Sequence, residues 1–221
     1  MIEHVYRRAA EARSVDAVVV ATDDERIAVA VERFGGVVRM TQSTHRTGTD
    51  RIAEVVRDLP CDIVVNVQGD LPFIEPEMIT EAIAPLLADA TLPMSTLRTP
   101  ITDAAEYTSP HVVKVVVDRA GDALYFSRAP IPYRRVGSSD STVSNASFKH
   151  IGLYVYRRDF LLEFAALPPT PLEQVESLEQ LRALEHGFRI RTVETRHESI
   201  EVDTPEDLER VRHLVMAAAR G

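Results

Sequence analysis

An α/β chain, doubly wound about a mostly parallel sheet, is predicted from three features of this 221-residue sequence. Short apolar, β-branched runs alternate with helical spacings almost from the first residue. Glycines and acidic or hydroxyl residues mark where each element stops and the next begins. Beyond about residue 110 the alternation gives way to an antiparallel pattern, so a smaller lobe is expected over about 110–157, within a single domain spanning 1–221.

The elements follow in order. Ile2, Val5, Ala9 and Ala12 have helical spacing, and Ala17 to Ala21 is a run suited to a buried parallel strand. Thr22-Asp23-Asp24-Glu25 has the form of a capping box opening a helix through Ile27, Val31 and Phe34, which Gly35-Gly36 stops. Val37 to Met40 is a second strand, and Thr49 can cap a helix carrying Ile52, Val55 and Val56. Asp62 to Val67 is a third strand, running into Gln68-Gly69-Asp70. Val112 to Asp118 and Ala123 to Phe126 flank the turn signal Arg119-Ala120-Gly121-Asp122, which predicts a hairpin. A Ser- and Gly-rich stretch at 136–147 reads as a mobile surface loop, and Ile151 to Tyr156 returns to strand character. Thr170-Pro171-Leu172-Glu173 opens a helix predicted to run to about Glu185, closed by Gly187. Thr204-Pro205-Glu206-Asp207 repeats that device.

Composition bounds the function. A net charge of -9 and a pI near 5.3 argue against nucleic acid or an anionic membrane as partner. No apolar run reaches the roughly 18 residues of a membrane span. The single cysteine, Cys61, has no internal disulfide partner, which suits a reducing cytoplasm. There is no zinc-ligand spacing, no Gly-x-Ser-x-Gly elbow and no Walker lysine loop. The nine glycines form no phosphate loop, and the first element is already a helix where doubly wound folds usually open with a strand.

Asn66-Val67-Gln68-Gly69-Asp70-Leu71-Pro72 is the strongest local candidate for chemistry. A buried strand ends, glycine permits a sharp turn, and Asp70 is left at the edge where open α/β sheets bind ligands. Such a carboxylate suits Mg²⁺, which shares its shell with substrate phosphates; it equally suits a helix cap. Asp203 could be a second ligand or a helix-entry residue, and spacing does not decide between them. Thr44 to Arg51 is a polar loop whose small residues would let a base or ribose approach, or a plain loop and cap. Arg128, Lys149 and His150 offer charge or hydrogen bonds to an acidic ligand, or are a surface arginine and a structural histidine.

Taken in order, nine segments resemble the CMP-KDO synthetases (3-deoxy-manno-octulosonate cytidylyltransferases) over essentially the whole chain. They are Val20 to Asp23, His45 to Arg51, Asn66 to Asp70, Val113 to Val116, Leu124 to Ala129, His150 to Tyr154, Pro171 to Glu173, Leu178 to Arg182 and Val202 to Leu208. The resemblance implies a nucleotide-binding sheet, a homodimer built from the smaller lobe, and attack of KDO's anomeric hydroxyl on the α-phosphorus of CTP with loss of pyrophosphate, for lipopolysaccharide synthesis. It implies Mg²⁺ on Asp70 and Asp203, and cytidine against Thr22, Asp23, Thr47, Gly48, Thr49 and Gln68. It implies the sugar acid among Arg128, His150, Tyr154, Glu179 and Gln180. Family members open with a strand and a loop rich in Arg, Ser, Gly and Lys that holds the CTP phosphates. The helix at Met1 is similar to the one after that loop. The expectation is therefore a sequence that begins downstream of the biological start, or a fragment, with little transfer by a chain that truly starts at Met1. Two alternatives stay open: a cytidylyltransferase for another acid sugar (8-amino-KDO or acylneuraminate type), or a non-catalytic remnant that binds sugar or nucleotide.

Overall fold

The computed structural model describes residues 1–133, 135, 146–197, 202, 206, 207, 209 and 211–213. The chain divides into two compact units. One comprises Met1–Val55, Val67–Thr80 and His197–Gly221; the other comprises Val56–Asn66 and Glu81–Arg196.

In the first unit, helix α1 (Ile2–Glu11) buries Val5 and Ala9, the apolar stripe anticipated from their spacing. Strand β1 (Val20–Thr22) pairs in parallel with β2 (Val38–Met40). The predicted run from Ala17 is strand only at its end, because β2 offers three partners and a strand extends no further than its ladder. Between them lies α2 (Glu25–Arg33). Its N-cap is Asp24, whose carboxylate accepts the Arg26 N–H at 2.8 Å. Thr22 instead accepts the Asp24 N–H, so the expected box is shifted by two residues. Gly35, at φ +79°, ends the helix as expected. Helix α3 (Gly48–Val56) is capped by Thr47, whose hydroxyl accepts the Asp50 N–H at 3.1 Å; Thr49, the expected cap, is inside the first turn and buried.

The second unit is built on a six-stranded sheet of order β6-β5-β7-β4-β8, with β3 also paired to β7. Its strands are β3 (Ile63–Asn66), β4 (Met94–Pro100), β5 (Lys114–Val117), β6 (Ala123–Ser127), β7 (Phe148–Arg157) and β8 (Ile190–Glu194). β4 and β8 pair in parallel, while β7 runs antiparallel to β3, β4 and β5. Four of the six strands therefore share one direction, and β7 and β6 oppose them. The predicted hairpin forms as β5–β6. Asp118 closes its turn by accepting the Ala120 and Asp122 N–H groups, and Gly121 supplies the left-handed residue at φ +86°. The hairpin tip is tied to β8 through Thr192 N–H to the Gly121 carbonyl, so residues 110–157 contribute strands to this sheet.

Helix α4 is Pro76–Ala88, and α5 is Ala104–Thr108. After β7 come α6 (Arg158–Ala166), α7 (Pro171–Glu176) and α8 (Gln180–Glu185). Tyr156, Phe160 and Phe164 stack at 5.8–6.4 Å between ring centres, and Leu153, Val155, Leu161 and Leu181 are buried in the same unit. The single helix predicted from Thr170 to Glu185 is in fact two. Ser177 turns left-handed at φ +53°, because Glu176 on one side of it is held by residues at the end of β6. Gly187 closes α8 at φ +82°. Glu206, Asp207, Glu209 and Val211 to His213 are helical. The cap at Thr204-Pro205 and most of the predicted loop at 136–147 lie outside the described residues.

Candidate active site

The first unit gathers the turns that follow its strands. Asp23, just beyond β1, forms an ion pair with Arg51 of α3 at 3.2 Å, and Arg51 also donates to Thr41 Oγ1 at 2.5 Å. One guanidinium thus joins the ends of β1 and β2 to α3. Thr22 and Thr49 are buried, and Thr47 holds the first turn of α3. The Gln68 amide lies beside Gly48, where a Cβ would make ordinary contact with it at 3.9–4.0 Å. The six residues expected at the cytidine are therefore brought together in part: Thr47, Gly48, Thr49 and Gln68 in one group, and Thr22 with Asp23 joined to α3 through Arg51. His45, in the same loop, is hydrogen-bonded to Glu54, which also accepts the Gln42 N–H and fixes the loop against α3.

Asp70 lies in this unit too, half-buried. Its carbonyl accepts the backbone N–H of Val202 at 3.0 Å. Val202 immediately precedes Asp203, so the fold brings together two segments that spacing alone left unconnected. Asp203 itself lies outside the described residues. Carboxylate oxygens are the donors a hard divalent cation prefers, and Asp70 with Asp203 would leave most of its shell to water and phosphate. Among the described residues, no cluster of three or more His, Cys, Asp or Glu side chains forms a self-sufficient metal centre.

The second unit holds Arg128, His150, Tyr154, Glu179 and Gln180. His150 and Tyr154 lie on β7 with ring centres 5.3 Å apart, and Phe126 of β6 meets His150 edge-on at 5.1 Å. Burial drives the His150 pKa down to about 3, so the imidazole is neutral near pH 7. His150 Nε2 lies 2.9 Å from the hydroxyl of Thr96 on β4. Gln180 opens α8 with its side chain 3% exposed and its Nε2 amide without a hydrogen-bond partner. Such an orphan donor is costly unless something else accepts from it. Glu179 stands 3.6 Å from Arg182, which is paired in turn with Glu173 and lies over the Phe164 ring.

Arg128 is a strap in this structure. Its guanidinium donates to the carbonyls of Glu176 (2.9 Å), Pro110 (3.1 Å) and Ser177 (3.5 Å). The Glu176 carboxylate answers by accepting Ser127 Oγ at 2.6 Å and the Arg128 N–H at 2.9 Å. Burial alone would raise the Glu176 pKa, but these bonds, with Tyr125, outweigh it and hold it below the usual carboxylate range. Lys114, fully buried, donates to the carbonyls of Ser109, Val112 and Arg128 at 2.6–2.8 Å, and burial lowers its pKa. Thr96, Glu176, Arg182 and Lys114 were not singled out as site residues from the sequence. Lys114 and Arg182 fall inside matching segments, whereas Thr96 and Glu176 carry no signal of their own.

The comparisons with known proteins point one way. A family model described as cytidylyltransferase matches residues 1–199. The 3-deoxy-manno-octulosonate cytidylyltransferase of Geobacter metallireducens is 60% identical over 96% of this chain and 85% of its own length. That of Syntrophotalea carbinolica is 60% identical over 97% of this chain and 88% of its own. A solved CMP:2-keto-3-deoxy-manno-octonic acid synthetase complexed with CTP is 45% identical with a TM-score of 0.91, covering 98% of this chain and 88% of that one. A 4-diphosphocytidyl-2C-methyl-D-erythritol synthase from Anaerococcus prevotii, 14% identical at a TM-score of 0.60, shares the fold alone. With such identity along nearly its whole length, the chain belongs to the 3-deoxy-manno-octulosonate cytidylyltransferase family, the CMP-KDO synthetases.

Proposed function

We propose that this protein couples CTP to KDO, giving CMP-KDO and pyrophosphate for lipopolysaccharide synthesis. The observation that carries the reading is the 60% identity to 3-deoxy-manno-octulosonate cytidylyltransferases over 96% of the chain. The CTP complex of the 45% identical relative supports nucleotide binding in the same fold.

In the reaction, the anomeric hydroxyl oxygen of KDO bonds to the α-phosphorus of CTP, the bond to the β-phosphate bridging oxygen breaks, and the hydroxyl proton is released. Thr22, Asp23, Thr47, Gly48, Thr49 and Gln68 would hold the cytidine. Arg128, His150, Tyr154, Glu179 and Gln180 would hold the sugar acid, and the orphaned Gln180 amide supports that role because a sugar oxygen would satisfy it. Asp70 and Asp203 would hold Mg²⁺, and the bond from Val202 to Asp70 supports their pairing. When bound, Mg²⁺ would offset phosphate charge and orient the displacement. No general base is assigned, since positioning and electrostatics can carry a phosphoryl displacement.

The test is pyrophosphate release by the purified protein with CTP, KDO and Mg²⁺, against an acylneuraminate and 8-amino-KDO as competing acids. Preference for KDO is expected, and a preference for either other acid would overturn the reading. Asp70→Asn should lower kcat on the order of a hundredfold, and chelation of Mg²⁺ should abolish release until the ion is restored. We further propose a homodimer through residues 110–157, supported by the family resemblance and by Leu124, 63% exposed on the edge strand β6. Sedimentation equilibrium would read twice the 24.6 kDa chain mass. A cytoplasmic location is proposed from the use of CTP; among the described residues no helix is long and apolar enough to cross a membrane.

A further inference from the structure

Thr96 is fully buried on β4, where the ladder with β7 slips its register between Thr96 and Leu97. At that irregularity the hydroxyl meets three groups: the Leu153 carbonyl at 2.7 Å, the Ile151 carbonyl at 3.2 Å and His150 Nε2 at 2.9 Å. A hydroxyl has one proton and two lone pairs. Carbonyl oxygens can only accept, so the proton goes to a carbonyl, and the 2.7 Å contact to Leu153 is the shorter. If the proton went to Nε2 instead, the hydroxyl oxygen would face two carbonyl oxygens with no hydrogen between them, one at 2.7 Å. The arrangement is satisfied only if Nε2 carries the ring proton and donates to Thr96. A neutral imidazole has one N–H, so Nδ1 then carries the lone pair.

We propose that Thr96 is a positioning residue that holds His150 as its Nε2–H tautomer, so that Nδ1 accepts a hydrogen bond from a hydroxyl of the sugar acid and does not bind its carboxylate. This rests on the reading of the protein as a KDO cytidylyltransferase, and it divides the sugar-binding group by chemistry. A lone-pair acceptor attracts a donor hydroxyl and repels a carboxylate oxygen. Recognition of the carboxylate is left to donors such as the orphaned Gln180 amide. Loss of solvent around the half-buried ring, packed against Phe126 and Tyr154, keeps it neutral, and the Thr96 bond selects between the two neutral forms.

Long-range ¹H–¹⁵N correlation spectra of histidine-labelled protein near neutral pH read the tautomer directly, with His150→Gln identifying the resonance among seven histidines. A neutral Nε2–H ring is expected in the unmodified protein. A cationic or Nδ1–H ring would overturn the proposal. Thr96→Val, of similar shape without the hydroxyl, should lose the tautomer preference and raise KM for KDO about tenfold with KM for CTP unchanged. Thr96→Ser should restore both. An unchanged KM for KDO in Thr96→Val, or an equal rise in both constants, would overturn it. Failure of the unmodified protein to use KDO, with the Nε2–H ring intact, would instead count against the functional reading.

Discussion

The Glu176 carboxylate receives Ser127 Oγ and the Arg128 N–H on its two oxygens, while its carbonyl receives Arg128 Nε. A carboxylate accepts at both oxygens, whereas an amide presents a donor at one of them. Glu176→Gln should therefore set an NH₂ against one of two donors, costing about 1–2 kcal/mol and loosening the Arg128 strap. Urea unfolding would read the first effect and a severalfold rise in KM for KDO the second; an unchanged midpoint and KM would contradict the role. His150 predicts a pH effect of opposite origin. Its folded pKa, near 3, lies below the ordinary imidazole value of 6.5, so the unfolded chain binds the extra proton between those limits. The stability contributed by the neutral ring is complete above about pH 6.5 and is lost as pH falls through the window, by at most about 1.4 kcal/mol per unit. Comparing urea midpoints at about pH 7.5 and about pH 5 should show a smaller acid loss in His150→Gln than in the parent, and equal losses would remove His150 as the cause.

At the scale of elements, turns and caps decide where the site residues fall. Gly121 turns the β5–β6 hairpin at φ +86°, and a Cβ there would meet the Thr192 carbonyl at 3.3 Å. Gly121→Ala combines backbone strain with that contact and should cost about 1–3 kcal/mol, read as a lowered thermal midpoint. Ser177 presents the reverse case. It separates α7 from α8 in a left-handed conformation that a Cβ disfavours, so Ser177→Gly should raise stability by up to about 1 kcal/mol. A fall in the midpoint would show that the extra freedom of glycine in the unfolded chain outweighs the relief of strain at Ser177. Because of this break Glu179 is not in the middle of a long helix: it stands at the N-terminal boundary of α8, with Gln180 as the first residue.

Over the whole molecule, the two units are stabilised by different means. The first has a short two-stranded ladder with helices, and the second a six-stranded sheet with an aromatic stack beneath it. Phe164→Ala would remove the ring shared by Tyr156, Phe160 and Arg182, and should cost about 3–5 kcal/mol, read by denaturant unfolding. The α/β class, helix α1, the end of α2 at Gly35, the hairpin around Gly121 and the stop at Gly187 are legible along the chain. Each of these depends on periodicity or on a backbone conformation that few residues tolerate, and such signals are local. Nine short segments in order also made the family legible. The caps lie two residues from the expected Thr22 and Thr49, at Asp24 and Thr47, because several neighbouring hydroxyls and carboxylates can each serve and only the backbone path chooses among them. The division of α7 from α8, the strap at Arg128, the pairing of Val202 with Asp70 and the hydroxyl of Thr96 behind His150 were decided by the tertiary structure alone. All four join residues distant in sequence or depend on contacts made from another element, and no spacing along one chain encodes which polar atoms folding will bring within 3 Å of each other.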